Sequence, residues 1–191
     1  MSLLRRLKAE ARALSRRVNK MLLTLNDKDY LLGVRGLTFE ALLQCFELQK
    51  ELEEKTLDNI TAADLYRLNE FTAACFSKYK ISVQDLNDLS PTDVLANTAQ
   101  LLIECNQVIP LVEEKILTVG NTRATDDRPP VQSDQELILR VISDLVADGE
   151  DLNRVLQWPV LRYFDIVYYR CLEQKRSEPA PADLIDQILG V

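Results

Sequence analysis

Hydrophobic residues recur at three- and four-residue steps along most of the chain, and this spacing predicts a succession of amphipathic helices. The longest helix is predicted over 91–118. Its start is marked by a capping serine at Ser90, a proline at Pro91 that suits the first turn, and Asp93, whose charge complements the helix dipole. Its apolar stripe consists of Val94, Thr98, Leu101, Cys105, Val108 and Val112. Pro110 lies inside this helix and is expected to kink it.

Three shorter helices are predicted before it, each preceded by a residue that can cap its first turn. Thr38 precedes a helix over 39–55, Thr61 a helix over 62–80, and Ser82 a short helix over 83–89. At the N-termini of the first two of these helices, the pairs Leu37 with Leu42 and Ile60 with Leu65 have the spacing of a hydrophobic staple. These segments together predict a compact helical body.

The N-terminal segment 2–25 has a regular heptad pattern and a strongly basic character. Its apolar positions are Leu4, Leu7, Ala11, Leu14, Val18, Met21 and Leu25. The segment carries seven basic residues and one acidic residue, a net charge of +6, and the whole chain carries −7, so the remainder carries −13. Three interpretations stay open: packing on the acidic body, helix pairing with a second copy or a partner, and contact with an anionic membrane or nucleic acid. We expect protein packing, with Leu4, Leu7, Leu14 and Val18 as partner-binding residues.

A linker is predicted over 119–132, because this stretch has no apolar period and contains Pro129-Pro130. A second unit begins at Ser133, which forms a capping-box pattern with Glu136. The sequence therefore predicts an all-α protein with a multi-helical body at 1–118 and a small aromatic-rich helical unit with a tail at 133–191. Whether the two units touch is left open.

Five of the twelve aromatic residues fall within residues 158–169. Core packing is their default role in a small helical unit, but tyrosine and tryptophan are also favoured at interfaces, and at least one or two must face outward. The expected partner-binding residues of this unit are Trp158, Tyr163, Tyr168 and Tyr169.

Composition narrows the function classes. The chain has no histidine, which excludes histidine acid–base chemistry and the common zinc sites, and no catalytic, metal-binding or cofactor-binding set is predicted. Its four cysteines are widely spaced within apolar helical faces, so buried reduced thiols and a cytoplasmic location are expected. No apolar run approaches the roughly 20 residues of a membrane span, and we expect neither membrane insertion nor a small-molecule ligand.

The order of these segments resembles the tail assembly chaperones of long-tailed phages. The resemblance rests on Gly36–Phe39, Phe71–Phe76 and Ile81–Leu86 in the body, and on Ile142–Leu152 after the linker. These stretches match a helix that ends in a Phe-rich segment, a short capped acidic helix and a long helix, followed by an extension with an aromatic-rich helix. The basic heptad helix at 2–25 departs from the family pattern.

The resemblance implies a non-enzymatic protein of the host cytoplasm that is absent from the mature virion and is extended by translational frameshifting. The body would bind the tape-measure protein, and the C-terminal unit would recruit tail-tube subunits. Self-association through the 2–25 helix is a further expected contact. The alternatives are a structural or baseplate-assembly component of a phage-like tail, and a helical regulatory protein that uses its basic N-terminal helix.

Overall fold

The computed structural model describes residues 21–120 and 132–177, which form a mainly helical protein with one two-stranded sheet. The elements in chain order are β1 (Met21–Leu25), β2 (Lys28–Leu32), α1 (Phe39–Glu53), α2 (Ala62–Cys75), α3 (Val83–Leu86), α4 (Pro91–Gly120), α5 (Asp134–Ala147), α6 (Leu152–Leu156) and α7 (Val160–Ser177). Short 3-10 turns lie at Val34–Gly36, Leu57–Asn59 and Ser77–Tyr79. The predicted helical character is confirmed, and the sheet corrects the all-α prediction.

The β-hairpin also corrects the C-terminal end of the helix predicted over 2–25. Met21 and Leu25 lie in β1, where they pair antiparallel with Leu32 and Lys28 of β2. Side chains alternate along β1, since Leu23 and Leu25 are buried while Thr24 is exposed. The remaining heptad residues Leu4, Leu7, Leu14 and Val18 lie outside the described residues.

The hairpin forms because of its two turn residues. Asn26 and Asp27 have φ angles of 49° and 59°, the left-handed conformation that a two-residue hairpin loop requires and that Asn and Asp adopt more readily than most residues. Thr24 Oγ1 donates a hydrogen bond of 2.7 Å across the strands to Asp29 Oδ1. The short apolar run of β1 fits both a helical and a strand period, so the turn decides between them.

The predicted helix starts are confirmed by their caps. Thr38 Oγ1 accepts a hydrogen bond from the Ala41 N–H at 3.2 Å, and Thr61 and Ser82 form reciprocal capping boxes with Asp64 and Asp85. Ser133 accepts from the Glu136 N–H, but the Glu136 carboxylate accepts from the Gln132 N–H, one residue before the expected donor. The helix over 62–80 is shorter than predicted, because it gives way after Cys75 to a 3-10 turn.

Helix α4 lies at the centre of the core. All six residues of its predicted stripe are buried, and the helix contacts β1, α1, α2 and α7. Cys45, Cys75 and Cys105 are buried and form no disulfide, as expected from the sequence. The side chain of Cys171 lies outside the described residues.

The two predicted units are joined by one continuous core. The Phe39 N–H donates to the Trp158 carbonyl at 3.1 Å, and the Val160 N–H donates to the Leu37 carbonyl at 2.9 Å. Helix α7 packs along α4, while α5 and α6 contact α1. Residues 121–131, most of the predicted linker, lie outside the described residues. The small C-terminal segments therefore obtain their core from the body.

Candidate protein-interaction surfaces

The four predicted aromatic residues of the C-terminal unit divide into two pairs. Trp158 and Tyr163 are half-buried against the core, with stacked rings whose centroids lie 6.3 Å apart. Tyr163 also makes edge-on contacts with Phe39 of α1 and with Phe164. This pair therefore holds α7 against α1, because its rings fill the junction between the two helices.

Tyr168 and Tyr169 form the second pair and lie further along α7. Their rings meet edge-on at 5.7 Å. Tyr169 is 63% exposed, the highest value among the large hydrophobic side chains that the structure describes. Ile166, three residues before it on the same helix face, is 46% exposed.

The outer face of α7 combines these apolar residues with charge. Arg162 precedes Ile166 by one helical turn, and Arg170 follows it by one turn, with both arginines exposed. We call this surface, Arg162, Ile166, Tyr169 and Arg170, the α7 face. Aromatic residues and arginines are the residue types that most often carry binding energy at protein interfaces. The α7 face therefore has the chemistry of a protein contact.

A second exposed apolar surface lies on the hairpin side of the body. Leu31 of β2 is 48% exposed, and Tyr79 beside it is 37% exposed. The Tyr79 hydroxyl donates a hydrogen bond of 2.6 Å to the Leu31 carbonyl, and its ring meets Tyr30 edge-on at 5.3 Å. Lys78 Nζ lies 4.5 Å from the centre of the same ring. We call Tyr30, Leu31, Lys78 and Tyr79 the hairpin patch.

An open groove of about 400 Å³ lies where the 3-10 turn Val34–Gly36, α4 and α7 meet. Its described lining combines apolar and charged side chains and consists of Val34, Arg35, Leu111, Glu114, Leu161, Asp165 and Tyr168. Arg35 Nη1 lies 3.9 Å from Asp165 Oδ2, and the arginine is largely in solvent, so this pair contributes little to stability. Leu111 is 40% exposed in this groove.

The sequence predicts the C-terminal aromatics as candidate contacts but gives no prediction of the hairpin patch or the groove. Leu31 lies in a segment for which no strand was predicted, and Tyr79 lies in the last turn of the helix predicted over 62–80. The Asn26-Asp27 pair between two apolar runs is the signal that predicts the hairpin. The groove has no local signal, because its walls come from three distant parts of the chain.

Two buried polar features complete the chemistry of the core. Contact with the Cys45 thiol lowers the pKa of Cys105, but contact with Cys75 and burial outweigh it, so this pKa is well above its ordinary value. Burial raises the pKa of Glu104, whose side chain accepts one hydrogen bond from Gln100 at 3.4 Å. Glu104 Oε2 has no hydrogen-bond partner within the described residues. The raised pKa keeps the Cys105 thiol in the protonated, weakly nucleophilic form.

No set of three or more acidic or cysteine side chains within 21–120 and 132–177 has the arrangement of a metal site. None of the helices in that part of the chain combines the length and hydrophobicity needed to span a bilayer.

Comparison with protein-family models, with curated proteins and with solved structures finds no match to this chain.

Proposed function

We propose that this chain is a non-enzymatic tail assembly chaperone of a long-tailed phage. In this function the helical body binds the tape-measure protein and keeps it soluble, while residues 133–191 recruit tail-tube subunits. The protein acts in the host cytoplasm and leaves the assembled virion. The proposal rests on the sequence resemblance and on the distribution of exposed apolar side chains.

The observation that carries the proposal is the α7 face. Ile166 and Tyr169 expose large apolar side chains within one helical turn, and Arg162 and Arg170 flank them. Scattered single hydrophobic residues are normal on protein surfaces, whereas a cluster on one helix face, bordered by arginines, favours binding to another protein. This surface is the one we assign to the tail-tube subunit.

The hairpin patch is the surface we assign to the tape-measure protein. It belongs to the body and exposes Leu31 and Tyr79 beside Lys78. An amphipathic helix presents an apolar stripe bordered by charged residues, and the patch offers complementary apolar and cationic groups. The two surfaces lie on different elements. The hairpin patch is formed by β2 and the 3-10 turn Ser77–Tyr79, and the α7 face by α7, so each can be changed independently.

The test is co-expression of the full chain with the long helical protein encoded downstream of it and, separately, with the tail-tube subunit. Leu31→Ser is expected to lower the soluble fraction of the helical protein. The double variant Ile166→Ser/Tyr169→Ser is expected to abolish capture of the tail-tube subunit and to leave the soluble fraction of the helical protein unchanged. Leu139→Ser is the matched control, because Leu139 is 47% exposed on α5, outside both surfaces.

Circular dichroism establishes that each variant is folded before binding is compared. If the wild-type chain neither solubilises the helical protein nor captures the tail-tube subunit, the proposed function is wrong. If both activities survive in all variants, the function stands but the two surfaces are wrongly assigned.

A further inference from the structure

We infer that the groove between the Val34–Gly36 turn, α4 and α7 is the docking site of the chain's own basic N-terminal segment, residues 2–20. The inference is independent of the proposed function, because it concerns a contact within one chain. It rests on where the segment enters the described structure, on its charge and on its apolar pattern.

The position of β1 brings the segment to the groove. Residue 20 directly precedes Met21, and Met21 pairs with Leu32 across the hairpin. Paired residues in an antiparallel sheet have Cα atoms about 5 Å apart. Leu32 is followed two residues later by Val34 and then by Arg35, both of which line the groove. The segment therefore enters beside one wall of the groove.

Charge favours this segment over the other end of the chain. Residues 2–20 carry seven basic side chains and one acidic side chain, whereas residues 178–191 carry three acidic side chains and no basic one. Among the described residues that line the groove are two carboxylates, Glu114 and Asp165, and one arginine, Arg35, which lies beside Asp165. These carboxylates attract a basic segment more than an acidic one, and such complementarity selects between the two ends of the chain.

The apolar pattern of the segment fits the apolar part of the groove lining. Val34, Leu111, Leu161 and Tyr168 supply apolar surface, and the stretch of α7 from 161 to 168 is about 10 Å long at the helical rise per residue. A helix of residues 2–20 is longer than that, so only its part nearest β1 can enter. We therefore assign Leu14 and Val18 to the apolar lining of the groove, and the basic residues beside them to its carboxylates.

The experiment is hydrogen–deuterium exchange by mass spectrometry on the full chain. In the wild-type protein, amides within 2–20 are expected to exchange at least about tenfold more slowly than in a free peptide of the same sequence. The double variant Glu114→Lys/Asp165→Lys is expected to remove that protection. A five-fold variant that also carries Arg12→Glu, Arg16→Glu and Arg17→Glu is expected to regain protection. In that variant the segment is acidic and the groove is basic, so the two attract each other again.

Glu70→Lys/Asp88→Lys is the matched control, since both residues are exposed and lie outside the groove. Leu111→Asp is a second variant that changes the apolar lining instead of the carboxylates, and circular dichroism establishes that each protein is folded. Loss of protection in the groove variants alone, with light scattering showing a monomer, supports the inference.

Three results overturn it. Unprotected amides in the wild type show that the segment does not dock. Protection that survives both the charge reversal and Leu111→Asp shows that it docks elsewhere. Protection that disappears when a dimer dissociates on dilution shows that the segment pairs with a second copy.

Discussion

Replacement of Ile138 by alanine tests whether the segment after residue 132 shares its stability with the body. Ile138 is fully buried on α5, and α5 contacts α1 of the body. Removing most of a buried isoleucine side chain costs about 2–5 kcal/mol, from lost burial and the cavity left behind. For a chain of this size each kcal/mol corresponds to about 2–4 °C, so we expect the melting temperature to fall by about 4–20 °C.

The assay is urea and thermal unfolding followed by two probes. Far-UV circular dichroism reports all the helices, whereas fluorescence reports Trp158, the single tryptophan of the chain, whose carbonyl accepts a hydrogen bond from Phe39. If one core unites the described segments, the two probes give coincident transitions in the wild type and shift together in Ile138→Ala. Leu139→Ala is the control, because exposed positions usually change stability by less than about 0.5 kcal/mol.

Two separate transitions would refute this reasoning. So would a variant in which the fluorescence transition moves and the main circular dichroism transition stays in place. Either result would show that residues 133–177 unfold on their own, and the contacts between α4 and α7 would then contribute little to the stability of the body.

Two further predictions concern pH. Burial raises the pKa of Glu104 above its ordinary value of 4.5, so its ionised form destabilises the fold increasingly as the pH rises through the raised pKa. Glu104→Gln is therefore expected to increase the free energy of unfolding by about 1–3 kcal/mol at pH 7, with the gain shrinking as the pH falls toward 4.5. The Lys55 ammonium, followed by the Thr61 N–H and hydroxyl, lowers the pKa of Asp64 from 3.8 to about 2, so its contribution is complete above 3.8 and is lost as the pH falls toward 2. Asp64→Asn is expected to cost about 1 kcal/mol at pH 7, and this cost is expected to shrink as the pH falls below 3.8 and through 2; urea unfolding over a pH series measures both effects. A pH-independent difference in either variant would contradict the assigned cause.

The helix starts could be predicted because their determinants are local. Thr38, Thr61, Ser82 and Ser133 each lie within three residues of the N–H group that they cap. The stripe of α4 is also local, since one helix period places its members on one face. These features need no knowledge of the neighbouring elements, and they account for most of the described helical fold.

The features that sequence reasoning missed depend on distant residues or on competing local preferences. The apolar run of β1 is also compatible with a helix. It forms a strand because the left-handed turn at Asn26-Asp27 reverses the chain and pairs it with β2. The contact between Phe39 and Trp158 joins residues more than a hundred positions apart, so no local pattern predicts it. The groove likewise exists only after α4, α7 and the Val34–Gly36 turn come together.

The division of the C-terminal aromatics follows from the same contacts and bears directly on function. Trp158 and Tyr163 are half-buried at the junction with α1, so replacing either removes part of the core packing. The loss is expected to be below the roughly 3–5 kcal/mol that is typical when a fully buried aromatic becomes alanine. A binding defect in such a variant would be indistinguishable from partial unfolding. Tyr169 is 63% exposed, so its substitution leaves the core unchanged. A partner that depends on Tyr169 therefore recognises the α7 face itself, and this residue separates binding from stability where Trp158 and Tyr163 do not.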